Sequence, residues 1–338
     1  MKIITCTGFY GTGSSAITDL FMDCKNVACK GDYEIRLLHD PYGVSDLEYN
    51  LIDNPNRHNT SNAIKKFKWN IDFLSGNTLN KKYEAYFDNK FKSLSYKYID
   101  DICEFKYFGK WHWDVVERGK LFWIADRSYN KILTILEKIF HLYKENGHDL
   151  LPKNEMAYAG VMDRDVFYKM TQNYIDKLLD IINKEKKEYV FVDQLVPPSN
   201  FERYNNYVNN LNVIVVDRDP RDIFILEKEI WHGHVVPCYD IDKFCDWFIW
   251  TRKMFEHSGI PENVIKIQFE DLIYNYETTI EQIFEFVGID KINYTANHFI
   301  PEKSKKNTRL WKQYPQYENE ISKIESRLHK YCYIENRV

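Results

Sequence analysis

The sequence predicts a three-layer α/β fold with a mainly parallel sheet. Three observations predict it: short β-branched runs at residues 2–7, 189–193 and 211–216, turns rich in glycine, proline or charge directly after them, and helical apolar spacing beyond the first and third turns. Composition sets the outer bounds. The 338 residues carry 46 Lys and Arg against 50 Asp and Glu, a formal net charge of −4, which argues against a uniformly basic nucleic-acid binder. Hydrophobic residues at 44%, with 25 Tyr, 21 Phe and 8 Trp, suffice for a core and exclude disorder throughout. The seven cysteines lack the close spacing of a zinc site or a disulfide framework, and no run approaches the roughly 18–20 apolar residues of a membrane span. A cytoplasmic protein with no metal and no integral membrane segment is expected.

The first element is the strand Lys2 to Thr7, which runs into GFYGTGSSA and then a helix spaced by Ile17, Leu20 and Phe21. A loop of this kind turns backbone N–H groups into a concavity at a helix N-terminus, where a phosphate is favoured. Gly8, Gly11 and Gly13 permit close approach, Thr12 sits within the loop, and Ser14 and Ser15 add hydroxyls. The arrangement is P-loop-like, but Ser14 stands at the lysine position of the GxxxxGK[ST] pattern, which counts against an ATPase or GTPase. Next comes YEIRLLHD, where Glu34 and Arg36 lie two apart and are expected on one face of a strand, either as an ion pair or as working groups.

Residues from about 50 to 187 read as a mostly helical insertion in a single domain spanning 1–338, with Ile132, Ile135, Leu136 and Ile139 at helical spacing. Its mixed aromatic and basic stretches suit an anionic carbohydrate, so Lys110, Trp111, His112, Trp113 and Arg118 are acceptor-side candidates. Lys184 to Lys187 read as a solvated helix end. The strand YVFVDQLVPP then puts Asp193 at its C-terminal end, as a second possible base or as a group orienting a basic residue, with Pro197 and Pro198 ending the strand. In LNVIVVDRDPRD, Arg218 follows a buried strand, where it can grip a phosphate or pair with Asp217, Asp219 or Asp222, and Pro220 opens a helix. His232 and His234 lack further metal-type neighbours and read as substrate-side or structural. Ile321, Ile324 and Leu328 predict an amphipathic C-terminal helix packed on the domain.

Together GFYGTGSSA and VVDRDPRD resemble the sulfotransferases, in whose fold a P-loop-like element holds the 5′-phosphosulfate and a strand followed by R-x-P-x-D holds the 3′-phosphate of 3′-phosphoadenosine 5′-phosphosulfate (PAPS). NVIKIQFEDLIYNYETTIEQIFEFVGI is similar to the strand, E-D-L and helix that follow in that family, and SKKNTRLWKQY to the S-K-G-R type loop of its glycosaminoglycan branch. The resemblance implies PAPS as donor, with Gly11, Thr12, Gly13, Ser14, Ser15, Arg218, Ser304, Lys305, Lys306 and Asn307 holding it. YEIRLLHD resembles the E-x-H segment of glycan sulfotransferases, so Glu34 takes the place of the base, Arg36 that of the histidine, and Lys305 faces the phosphosulfate. The implied acceptor is a hydroxyl or amine of a glycan or glycolipid, and the implied setting is bacterial. Two departures stand out. Gly11 occupies a position that most members fill with Lys or Arg, and Leu226 one that they fill with Ser; Arg36, Lys303, Lys305 and Lys306 are the candidates to restore positive charge. The competing readings are a P-loop kinase for a small molecule or nucleotide and a non-catalytic nucleotide or glycan binder.

Overall fold

A computed structural model describes residues 1–76, 82–111, 113–140 and 154–334. The strands are β1 (Lys2–Gly8), β2 (Val27–Glu34), β3 (Phe105–Lys110), β4 (Asn154–Ala159), β5 (Tyr189–Asp193), β6 (Leu211–Asp217) and β7 (Val264–Gln268). The longer helices are α1 (Ser14–Met22), α2 (Arg57–Ser75), α3 (Phe91–Asp101), α4 (Gly119–Phe140), α5 (Arg164–Ile182), α6 (Pro220–Ile225), α7 (Ile241–His257), α8 (Tyr276–Val287) and α9 (Glu318–Leu328).

Five strands form one parallel sheet in the order β2-β5-β1-β6-β7, with the N-terminal strand at its centre. Strand alternation sends two sets of side chains to opposite faces. Ile3, Val190, Val192, Val213 and Val215 join a core with α2, α3 and α5, while Ile4, Cys6, Phe191, Ile214 and Val216 join one with α1 and α8. A third core, with Phe224, Phe244 and Phe248 at its centre, takes in Ile321, Ile324 and Leu328, so α9 packs as its spacing predicts. The sheet thus lies between two helical layers, and β1 has neighbours reached by crossovers on both sides. That reversal opens a crevice beyond the C-terminal ends of β1, β5 and β6, the place where such sheets collect ligands.

The segment between β2 and β5 departs from its expected form in three ways. Besides helices it holds an antiparallel hairpin of β3 and β4, which the helical spacing of its surroundings concealed. Ile132, Ile135, Leu136 and Ile139 do lie on a helix, α4, but α4 buries none of its residues. Lys184 to Lys187 are not simply a solvated helix end: α5 stops at Ile182, Lys184 pairs with Asp88 at 2.5 Å, and Lys187 Nζ donates to the Val27 carbonyl.

Candidate functional site

The loop after β1 is shaped by what a side chain would collide with. A Cβ on Gly8 would meet Thr12 Oγ1 at 2.3 Å and the Val216 carbonyl oxygen at 2.7 Å, so only glycine lets β1 turn this tightly beside β6. Gly13, at φ 94°, caps α1 without any side-chain cap bond, and this leaves the N–H groups of the first turn directed at the crevice. Thr12 departs from its expected ligand role: its hydroxyl is buried and donates to the Phe9 carbonyl at 2.7 Å, bracing the loop from inside. Ser14 Oγ donates to Asp193 Oδ2 at 3.3 Å, linking the loop to the end of β5.

Arg218 is the first residue beyond β6. Pro220 opens α6, as the sequence predicts, and Asp219, read from sequence only as a possible partner of the arginine, caps it. Its guanidinium is 4% exposed, packs over Phe269 at 4.6 Å, and donates to two carbonyls, Gly11 at 3.2 Å and Asn307. None of the carboxylates suggested by sequence takes it as an ion-pair partner. Asp217 is paired with Arg252 at 2.7 Å and Lys266 at 2.8 Å, Asp219 with Arg221 at 2.5 Å, and Asp222 accepts from the backbone N–H groups of Arg309 and Leu310. Arg218 Nε is buried without a hydrogen-bond partner, and burial pulls the guanidinium pKa down from its ordinary value. A buried cation with a spare N–H beside a glycine loop fits an anionic ligand.

These elements enclose one cleft of about 1040 Å³, whose walls include Gly11, Thr12, Gly13, Ser14, Ser15, Glu34, Arg36, Arg218, Ser304 and Asn307. Two expected residues stand elsewhere. Lys305 is exposed and outside the cleft wall, because its short helical turn carries Ser304 and Asn307 inward; Lys306 lines a neighbouring pocket with Lys303. Arg36 reaches the wall, but lies beyond the end of β2 and pairs chiefly with Asp40 at 2.9 Å, with Glu34 at 3.7 Å. The expected strand-face pair is therefore a turn-held pair. The acceptor-side candidates of the insertion are not cleft residues: Trp111 is buried under Lys65, Arg118 is bonded to Asp114, Lys110 and Trp113 stand apart from the wall, and His112 lies outside the described residues. His232 and His234 are exposed, and among the described residues no group of three or more acidic, His or Cys side chains is placed to hold a metal.

The structure also brings together two carboxylates that the sequence marked separately, and adds His39 and Trp231, which it did not mark. Asp193 is the register partner of Glu34 across β5 and β2, so two carboxylates meet at the cleft floor. Burial, reinforced by the charge of Glu34, pushes Asp193 up to about 7, and its Oδ1 has no hydrogen-bond partner. His39 lines the same wall, donates from Nε2 to the Gln194 carbonyl at 2.9 Å, and has its pKa lowered by burial. Trp231, at the end of a wide π-helical turn over Leu226–Trp231, packs on Gly11 so closely that a Cβ there would lie 2.9 Å from the ring. This ring gives a physical reason for glycine where a long cation was expected. A histidine five residues past Glu34 was the available signal for His39; none pointed to Trp231.

Fold and site together define an α/β chain with a phosphate-type loop after its central strand and a buried arginine facing that loop. No family model matches the chain, and no curated protein matches it in sequence. Among solved structures it is similar to a sulfotransferase domain from the olefin synthase of Synechococcus PCC 7002 (8% identity, 88% of this chain and 78% of that one, TM-score 0.36). It is also similar to a sulfotransferase domain from the curacin biosynthetic pathway (13%, 99% of both chains, 0.38) and to a sulfotransferase from Mycobacterium tuberculosis H37Rv (11%, 91% and 76%, 0.34). Likeness at this level does not assign an activity, which has to come from the site.

Proposed function

We propose that the chain is a sulfotransferase that moves a sulfuryl group from PAPS to a hydroxyl or amine of an acceptor, with carbohydrate as the acceptor class that its sequence resemblance implies. The observation that carries this reading is Arg218, a buried guanidinium without a carboxylate partner and with an unsatisfied Nε, set at the cleft beside the glycine loop. A donor with separate 3′ and 5′ anionic groups needs two such stations. When bound, PAPS supplies an activated sulfuryl group on a phosphate leaving group.

The first-turn N–H groups of α1 and the hydroxyls of Ser14 and Ser15 would hold the phosphosulfate, while Arg218 would hold the 3′-phosphate. Ser304 and Asn307 border the same space. Asp193, held near neutrality, is the group suited to accept the acceptor's proton as its oxygen or nitrogen attacks sulfur and the bond from sulfur to the phosphate oxygen breaks. Glu34 tunes that carboxyl through its charge, and Arg36 orients Glu34 from 3.7 Å.

Calorimetric titration with 3′-phosphoadenosine 5′-phosphate, against ADP and ATP with magnesium, tests the reading. Metal-independent binding of the bisphosphate, lost in Arg218→Ala, is expected. Binding of ATP with magnesium instead would refute it in favour of phosphoryl transfer. Bisphosphate binding without turnover on any hydroxyl or amine acceptor would leave a nucleotide binder and remove the transferase.

A further inference from the structure

Helix α4 (Gly119–Phe140) has 22 residues, about 33 Å at 1.5 Å per residue, and none is buried. Nine large apolar side chains along it, including Leu121, Ile132, Ile139 and Phe140, are 41–84% exposed. Helices in water gain most of their stability by packing an apolar face, and among the described residues nothing covers this one.

The face has a definite phase. Phe122, Ala125, Tyr129, Ile132, Leu136 and Ile139 follow one another at alternating steps of three and four, the a and d positions of a heptad. Leu121 and Ile135 flank this seam on one side, Leu133 and Phe140 on the other. Two copies laid antiparallel about the midpoint of Asn130 and Lys131 oppose Phe122 to Ile139, Ala125 to Leu136 and Tyr129 to Ile132. Every layer then pairs an a with a d position, and the smallest seam residue meets a large one on each side of the axis.

We propose that α4 is a dimerisation element, through which two copies of this chain pair antiparallel along that seam. The available area agrees. Seven of these side chains lie on the seam or beside it, Trp123 and Ile124 facing away, and at a little over half exposure they offer about 700 Å² per copy, close to the ~800 Å² per partner of a specific protein interface. A membrane surface is the competing occupant, since Arg127, Lys131 and Lys138 lie off the seam. A headgroup layer, however, sets no heptad phase, and Asp126 and Glu137 interrupt the basic face.

Sedimentation of the full chain up to about 100 µM should show a dimer. Ile132→Asp combined with Leu136→Asp should give a monomer with unchanged bisphosphate affinity and a loss of helical circular dichroism no larger than the share of α4, because neither residue touches a core; Arg127→Glu, away from the seam, should remain dimeric. Ala125→Cys combined with Leu136→Cys should cross-link into a covalent dimer on mild oxidation while Ala125→Cys alone should not, because the two copies of position 125 lie about 16 Å apart in the antiparallel pair; a parallel pair would cross-link through Ala125→Cys alone. A wild-type monomer at that concentration, or a dimer that survives the double aspartate change, would overturn the proposal. A monomer that floats with phosphatidylglycerol vesicles and is released by the same change would overturn it in favour of a membrane-binding helix.

Discussion

Arg218 and Arg252 are both buried guanidiniums, 4% and 1% exposed, and replacing each with Met should have opposite consequences. Arg252 donates to Asp217 from Nη2 at 2.7 Å and Nε at 3.2 Å, and stacks on Phe248 at 3.5 Å and Phe9 at 4.1 Å. Removing one partner of such a buried pair costs about 3–5 kcal/mol, because Asp217 is left with Lys266 as its one cation and the Arg218 N–H as its other donor. Arg218 has two carbonyl bonds and an idle Nε, so their loss is largely offset by the release of a desolvated charge, and the ligand-free protein should change by only about 1 kcal/mol. Affinity should respond the other way. Each hydrogen bond from a cation to phosphate contributes about 1.5–3 kcal/mol, so Arg218→Met should weaken 3′-phosphoadenosine 5′-phosphate binding by at least ~10–150-fold. Urea unfolding with and without the bisphosphate separates the two effects. At about 100 times its Kd the ligand should protect the wild type by about 2.7 kcal/mol, and at the same concentration this protection should fall to about 1.4 kcal/mol or less in Arg218→Met. If Arg218→Met instead lost 3–5 kcal/mol without ligand and kept the protection, the arginine would be a structural strut.

The remaining predictions concern the base and the loop. Because burial and Glu34 hold Asp193 up at about 7, sulfuryl transfer should rise with pH through that value as the carboxyl loses its proton. Glu34→Gln withdraws the neighbouring negative charge and should move this limb to lower pH, while Asp193→Asn should lower kcat by ~10²–10⁴-fold; pH–rate profiles of the three proteins decide, and an unshifted limb in Glu34→Gln would sink the assignment. Gly8→Ala places a methyl against Thr12 Oγ1 and the Val216 carbonyl, and should destabilise by about 1–3 kcal/mol while weakening bisphosphate binding, read by thermal unfolding and titration.

Local pattern carried much of the fold. β1, β5 and β6 were legible because buried parallel strands read as continuous β-branched runs, and α1 and α6 because a glycine loop and Pro220 directly after such runs mark helix starts. The hairpin of β3 and β4 was not, because its strands pair across 43 intervening residues, most of them of helical pattern, so no short turn links the two runs. At the site, Gly8, Gly13 and Arg218 announced themselves through chain geometry that only certain residues adopt. The displacement of Lys305 from the cleft wall did not, since a single turn of helix decides which of four consecutive residues point inward.

By itself the sequence determined the parallel α/β class, the phosphate-type loop and the arginine after the third central strand, all consequences of neighbours within a few residues. Tertiary structure alone decided that Asp193 meets Glu34, that Trp231 seals Gly11, that Arg218 is left without a carboxylate, and that α4 is uncovered by any described residue. Each of these depends on which distant segments the sheet order and crossovers bring together, and on the burial that follows, and no local spacing encodes either.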